Sequence, residues 1–173
     1  PDWQVDWEAL EAAFTAGAKA LVVCNPSNPT GKVFTRQELM RIGHMAKEHN
    51  AWVITDEVYE HIVYAPYTHT RLSALPGMWG HCLTVSSLSK TYSITGWRLG
   101  YLIGPEEALD AARKVHDFLT VGAAAPLQAA ALPGLRAGPD YYEGLRALYA
   151  AKREQFLSGL DGIGLEHTVP QGS

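Results

Sequence analysis

Cysteine is scarce in this sequence: there are two, Cys24 and Cys82, and each lies inside an apolar stretch. Two such cysteines make no disulfide framework, and they predict buried free thiols in a reducing, cytoplasmic compartment. Long apolar stretches are missing as well, since none reaches the ~18 residues of a membrane-spanning helix. The first residues have neither the basic charge nor the apolar stretch of a secretory signal. We therefore expect no membrane partner.

Charge of one sign is not concentrated anywhere in the chain. The 14 basic and 18 acidic residues give a net charge of −4 and are spread without runs. Nucleic acid is therefore not expected as a partner. The seven histidines form no HxxxH or HExxH pattern, and no CxxC pair accompanies them. The sequence accordingly predicts no metal site.

Helical and strand patterns alternate along the chain. Apolar runs predict strands at residues 20–24, 52–55, 82–85 and 100–103. Helices are predicted to start after Asp6, after Thr35 and near residues 105, 126 and 139. The last helix is expected to turn residues 152–154, Lys-Arg-Glu, towards water, and a further strand is expected at residues 166–169.

This alternation predicts an α/β fold of three layers, with a mainly parallel sheet and helices on both faces. The continuous apolar run 20–24 predicts a strand buried on both of its faces. The strand at 100–103 follows its predecessor too closely for a helical crossover, so it is expected to run antiparallel. Asn28, Asp56 and Lys90 each come just after the carboxyl end of a predicted strand. Because ligands gather at that edge of such sheets, the three residues predict one site.

The stretch from residue 84 to residue 98 carries the most specific chemistry. Lys90 follows a run of small hydroxyl residues at a strand end, where desolvation would free its amine as a nucleophile. Hydroxyl groups and the guanidinium of Arg98 match the oxygens of a phosphate. An amine nucleophile beside a phosphate site is what a pyridoxal 5'-phosphate enzyme needs. A serine-rich turn with a solvated lysine is the alternative for this stretch taken alone.

Three linked motifs decide between these two interpretations. They are Asn-Pro-Ser-Asn-Pro-Thr-Gly at 25–31, Thr-Asp-Glu-Val-Tyr at 55–59, and Ser-Leu-Ser-Lys at 87–90 followed by Gly-Trp-Arg at 96–98. Their order and spacing resemble the pyridoxal-phosphate aminotransferases of fold type I, class I/II, over nearly the whole chain. The loop at 71–78 is most similar to that of the kynurenine and methionine aminotransferases.

The resemblance implies a catalytic role for Lys90, Asp56 and Tyr59. Lys90 would form the internal aldimine with the cofactor and then move the proton between the substrate α-carbon and the cofactor. Asp56 would pair with the pyridine nitrogen and keep it protonated, so that the ring accepts electrons. Tyr59 would donate a hydrogen bond to the phenolic oxygen of the ring.

The resemblance also implies how the rest of the cofactor is held. Asn28 would contact the phenolic oxygen together with Tyr59, and Ser87 and Arg98 would bind the phosphate. Ser89 is less suited to this task, because neighbouring side chains of an extended chain point apart. Glu57 and Tyr92 are expected to support the site without touching the cofactor.

For the whole protein the resemblance implies an aminotransferase that acts on an amino acid and a 2-oxo acid as a homodimer. Residues 1–161 resemble the C-terminal half of the cofactor-binding domain, ending in a long interdomain helix. Residues 162–173 resemble the start of the small domain, so the chain is interpreted as a fragment that is inactive alone. A carbon–sulfur β-lyase, an aminocyclopropane-carboxylate synthase and the aminotransferase-like domain of a transcription regulator are the alternatives.

Overall fold

Helices and strands alternate along the chain in the computed structural model, which describes residues 3–173. The helices are α1 (Trp7–Thr15), α2 (Arg36–Glu48), α3 (Leu88–Thr91), α4 (Glu106–Thr120), α5 (Ala125–Leu135) and α6 (Pro139–Gly162). The strands are β1 (Ala20–Cys24), β2 (Trp52–Asp56), β3 (Cys82–Ser87) and β4 (Gly100–Ile103). The strands predicted at 20–24, 52–55, 82–85 and 100–103 are confirmed, and the second and third extend further, to Asp56 and Ser87. Within this described part, no helix is both long enough and apolar enough to cross a membrane.

Local sequence signals explain where the first two helices begin. The carboxylate of Asp6 accepts a hydrogen bond from the Ala9 amide at 2.9 Å, which satisfies one of the free N–H groups of α1. At α2, Thr35 accepts from the Glu38 amide at 3.2 Å, and Glu38 accepts from the Thr35 amide at 2.8 Å. This reciprocal pair is the predicted capping box.

The four strands form one sheet in the order β1-β2-β3-β4. The first three are parallel, and β4 pairs antiparallel with β3, as its short connection requires. The register sets Asp56 beside Cys24 on one side and Val85 on the other. The carboxyl ends of β1, β2 and β3 therefore meet at one edge of the sheet.

The main hydrophobic core lies between one face of the sheet and helices α1 and α2. Phe14, Leu39 and Ile42 of these helices pack against Val23 and Val53 of the strands, and all five side chains are buried. Leu72, Leu75 and Met78 of the loop before β3 complete this cluster. Burial of this apolar surface is the dominant stabilising contribution to the fold.

The opposite face of the sheet is open near β1, which corrects one prediction. Val22 is 68% exposed and Val85 is 38% exposed, so β1 is not buried on both faces. The reason is that α1 and α2 cover only the face to which Val23 points. Helix α4 stands over the other face near β3 and β4, where a groove of about 920 Å³ separates it from the strands.

Both cysteines are free, as predicted. Cys82 is buried and Cys24 is half-buried. Burial raises the pKa of both thiols, that of Cys82 to about 11. Because the thiolate is the reactive form, both side chains behave as small apolar groups.

Two predictions for the end of the chain are wrong. Residues 166–169 form no strand; the nearby backbone makes a single bridge, between Val63 and Gly172. The reason is that residues 166–169 have no neighbouring strand, and the chain directly after them bonds to two loops, since Gln171 donates to Gly31 and Ser173 donates to Ile62. Arg153 does not simply face water, because its guanidinium lies 4.3 Å from the Tyr64 ring and donates to Pro170.

Candidate active site

Asn28 and Tyr59 come from different loops and meet directly. The Asn28 amide donates a hydrogen bond to the Tyr59 hydroxyl at 2.8 Å. Asn28 is carried by the turn that follows β1, in which the Gly31 amide donates to Ser27 at 2.8 Å. Gly31 has φ +70°, and a Cβ there would lie 2.5 Å from the Pro170 side chain, so the turn requires glycine. The turn that presents Asn28 to Tyr59 thus depends on Gly31.

Asp56 is the last residue of β2 and is half-buried. Its carboxylate accepts a hydrogen bond from the Val58 amide at 3.2 Å. This bond bends the chain just after the strand, and the turn brings Tyr59 back towards the same edge of the sheet. A carboxylate held by one amide retains acceptor capacity for a cationic group.

Lys90 lies in the short helix α3, directly after β3. Ser87 caps this helix by accepting from the Ser89 amide at 3.0 Å. The lysine side chain is half-buried. Among residues 3–173 its amine makes no hydrogen bond or ion pair. The amine is therefore available to a ligand.

Ser87 and Ser89 lie together, which removes the geometric reason against Ser89 and leaves its role towards a phosphate a prediction. Their hydroxyl oxygens are 2.6 Å apart, and Ser87 also lies 3.0 Å from the Leu99 carbonyl. The expectation assumed an extended chain, but the chain has already turned into α3 at Leu88. Two hydroxyl groups therefore stand at this strand end instead of one.

Arg98 follows a short helical turn and adopts a left-handed backbone conformation, with φ +54°. Its guanidinium is exposed and donates to the Thr95 carbonyl at 3.0 Å. In the described part of the chain it has no carboxylate partner. Ser87, Ser89 and Arg98 line the same groove, and hydroxyl groups together with a guanidinium that has no counter-ion make a donor set suited to a phosphate.

A buried charged cluster lies beneath this edge, and sequence reasoning missed it. Glu57 and Glu60 are buried, and both form ion pairs with Arg71. Glu57 also pairs with His69 at 2.9 Å. Burial alone would raise the pKa of Glu60, but the hydrogen bond and charge of Arg71 hold it below its ordinary value. No sequence signal pointed to His69 and Arg71, because the irregular loop before β3 brings them to the carboxylates.

The carboxylates of this cluster and His69 could together ligate a cation, since one ligand atom of each lies within 4.8 Å of the others. The Arg71 guanidinium already supplies the positive charge at this place. The cluster is therefore accounted for as an ion-pair network within the protein.

Tyr92 connects the lysine segment to α6, in agreement with its expected supporting role. Its hydroxyl lies 2.8 Å from that of Tyr142, and the Tyr141 hydroxyl donates to the Thr91 carbonyl at 2.6 Å. Burial, together with the bond to Tyr142, raises the pKa of Tyr92. The start of α6 thus holds the end of α3, next to Lys90.

Comparison with known proteins identifies relatives over the whole chain. The family model described as aminotransferase class I and II matches residues 1–173. A kynurenine–oxoglutarate transaminase of Dictyostelium discoideum is 38% identical over 99% of this chain and 40% of its own length. A bifunctional aspartate and glutamate/aspartate-prephenate aminotransferase of Petunia hybrida is 44% identical over 99% of this chain and 37% of its own length.

A solved structure agrees with this result. The N-succinyldiaminopimelate aminotransferase from Mycobacterium tuberculosis matches with a TM-score of 0.95 at 35% identity, covering 100% of this chain and 46% of that one. The expected fold class is thereby confirmed. The chain spans less than half the length of each of these three proteins. One of the three is named as a transaminase and two as aminotransferases, and none is named as a lyase, a synthase or a regulator.

Proposed function

The chain belongs to the class I and II aminotransferases, and we propose that the full-length protein transfers an amino group between an amino acid and a 2-oxo acid. One observation supports this proposal: Asn28, Asp56 and Lys90 all follow or end strands at the same edge of the sheet. Asp56 ends β2, Lys90 follows β3, and Asn28 bonds to Tyr59 across the two intervening loops.

The family depends on pyridoxal 5'-phosphate, and the residues present fit that group. Lys90 would hold it through its amine, and Asp56 would face its pyridine nitrogen. Asn28 and Tyr59 would contact its phenolic oxygen, while Ser87 and Arg98 would bind its phosphate. When bound, this cofactor accepts the electron pair left by bond cleavage at the α-carbon of the substrate.

The protein residues supply proton transfer, charge and fixed geometry. The Lys90 amine is the base that takes the α-proton and the acid that returns it, and its freedom from other partners suits that role. The negative charge of the Asp56 carboxylate would favour the protonated form of the cofactor's pyridine nitrogen by electrostatic attraction. The Asn28–Tyr59 pair presents a preformed donor surface, so little reorganisation is needed during the reaction.

The organisation of the full-length protein is also proposed. Residues 1–161 would be the C-terminal half of the cofactor-binding domain, and residues 162–173 would open a smaller domain. The end of α6 at Gly162 supports this division. A homodimer and a cytoplasmic location are proposed with it, the latter because both thiols are free.

Chemical trapping of the cofactor tests this function. The full-length protein is loaded with pyridoxal phosphate, reduced with borohydride and digested, and the modified peptide is identified by mass spectrometry. We expect the adduct on Lys90 and loss of the adduct in Lys90→Ala. Lys32, which is ion-paired with Glu38 at 2.8 Å, and Lys114 serve as internal controls. An adduct on either of these lysines would overturn the assignment.

A further inference from the structure

His69 bridges the two loops that carry the proposed cofactor contacts. Its Nε2 lies 2.9 Å from the Glu57 carboxylate, and its Nδ1 lies 3.4 Å from the Asn25 amide nitrogen. Asn25 is 1% exposed and begins the turn that carries Asn28. Glu57 is also 1% exposed and lies between Asp56 and Tyr59. A single imidazole therefore connects both sides of the site.

The partners of Asn25 determine which nitrogen of His69 carries the proton. The Asn25 carbonyl oxygen accepts from the Phe34 amide at 3.0 Å, which fixes the orientation of the side-chain amide. Its NH₂ group must then donate, to the Thr70 carbonyl at 3.2 Å and to His69 Nδ1. Nδ1 is therefore an acceptor, and Nε2 carries the hydrogen that is donated to Glu57. Every polar atom of this bridge has a partner of the correct type.

Two other hydrogen bonds of Glu57 anchor the same turn to the sheet. Its second carboxylate oxygen accepts from the Thr55 hydroxyl at 3.0 Å, and its amide donates to Val85 of β3 at 2.8 Å. Because neighbouring residues of an extended chain point to opposite faces, a fixed Glu57 also fixes the direction of Asp56.

We propose that His69 is a positioning residue, which holds the Asn28 turn and the Asp56–Tyr59 turn in register beneath the cofactor site. The inference rests on the proposed function, because it explains the bridge by the cofactor contacts that the two turns carry. Loss of the bridge leaves two buried polar groups, Asn25 and Glu57, without one partner each. The Asn25 backbone amide still donates to the Asp56 carbonyl at 2.9 Å, but the two side chains that His69 held are free to shift. The Asn28–Tyr59 pair then loses its fixed placement. Small displacements of positioned groups have large effects on rate.

The test compares three variants of the full-length holoenzyme. His69→Leu removes both bonds of the bridge, and His69→Gln keeps the ability to make one of them. His49→Gln is the matched control, because His49 pairs with Glu11 at the surface. The readouts are cofactor affinity by titration into the cofactor-free protein, the pH midpoint of the bound cofactor's absorption, kcat and KM, and thermal unfolding without cofactor.

We expect His69→Leu to lower kcat about tenfold or more with a smaller change in KM. It should weaken cofactor binding and move the absorption midpoint by about half a unit, because hydrogen bonds to the cofactor oxygen change. The kcat, cofactor affinity and absorption midpoint of His69→Gln should lie between those of His69→Leu and the wild type. If His69→Leu does not fold, these values for His69→Gln provide the test. A lowered unfolding temperature with unchanged midpoint, affinity and kcat would overturn the positioning role. A wild-type protein that binds no pyridoxal phosphate would overturn the proposed function and this inference with it.

Discussion

Asp56 and Glu57 are adjacent acids with different environments. Asp56 is half-buried and accepts one backbone hydrogen bond, whereas Glu57 is buried and bonds to Thr55, His69 and Arg71. Strand alternation explains this contrast, because the two side chains point to opposite faces of the sheet. The place of Asp56 was predictable from the strand end. The partners of Glu57 were not, since they come from an irregular loop without periodicity.

Replacement of Asp56 tests its proposed charge. Asp56→Asn keeps the shape of the side chain and removes the negative charge. We expect the chemical step in the full-length protein to lose about 3 kcal/mol, roughly a hundredfold in rate, as when one partner of a charge pair is removed. Asp110→Asn is the control, because Asp110 pairs with Arg113 at the surface. Activity within about tenfold of the parent, measured at saturating cofactor, would contradict the role of Asp56.

Glu60 gives a prediction about acid stability. Burial raises its pKa, but Arg71 outweighs burial and holds the pKa below the ordinary value of 4.5. Its contribution to stability is therefore complete above pH 4.5 and is lost as the pH falls through the lowered value. Glu60→Gln should lower the free energy of unfolding of the full-length protein by about 1 kcal/mol at neutral pH, since Arg71 is half exposed. The free energy of unfolding of the variant should also fall less than that of the wild type as the pH is lowered.

Urea unfolding at a series of pH values measures both effects of Glu60→Gln. Glu48→Gln, at the end of α2 and outside the buried charged cluster, controls for the loss of one carboxylate. Parallel pH profiles for Glu60→Gln and the wild type would show that the ion pair does not contribute in this way.

At the level of elements, local sequence signals predicted a helix or strand correctly where the residues of that segment alone determine its bounds. The capping box of Thr35 and Glu38 fixed the start of α2, and the apolar run of β1 fixed both ends of that strand. Exposure could not be predicted in this way, because the burial of Val22 depends on which helices lie over it. The failure at residues 166–169 has the same origin, since a strand needs a neighbour that sequence patterns do not supply.

The contact between α3 and α6 predicts a coupling between two tyrosines. Tyr92 and Tyr142 each lose the same hydroxyl–hydroxyl bond when changed to phenylalanine. Each single change in the full-length protein should lower the free energy of unfolding by about 1 kcal/mol. The double change should cost no more than either one, because it leaves neither hydroxyl without a partner. Denaturant unfolding of all four proteins measures the coupling.

Tyr149→Phe is the control on the same helix, since its ring contacts Lys152 and the substitution keeps that ring. Additive losses in the double variant would show that the two hydroxyls do not act as a pair.

At the level of the whole molecule, the chain leaves a large apolar surface in contact with water. Val22 and Val85 lie on the open sheet face, and Phe118, Leu119 and Val121 at the end of α4 are 75 to 94% exposed. Patches of this kind favour association. Strand β1 also has β2 as its single neighbour among the described residues, so one edge of the sheet remains open to pairing.

The last prediction concerns the 173 residues on their own. We expect them to self-associate through the open sheet face and to show no transamination with pyridoxal phosphate, because the chain spans 40% and 37% of the length of two aminotransferase relatives that it matches. Val22→Lys puts a charge on the exposed strand and should raise the monomer fraction in sedimentation velocity experiments. Lys19→Gln, just before β1, is the control for altered charge. A monodisperse monomer that turns over amino acids would contradict both parts of this prediction.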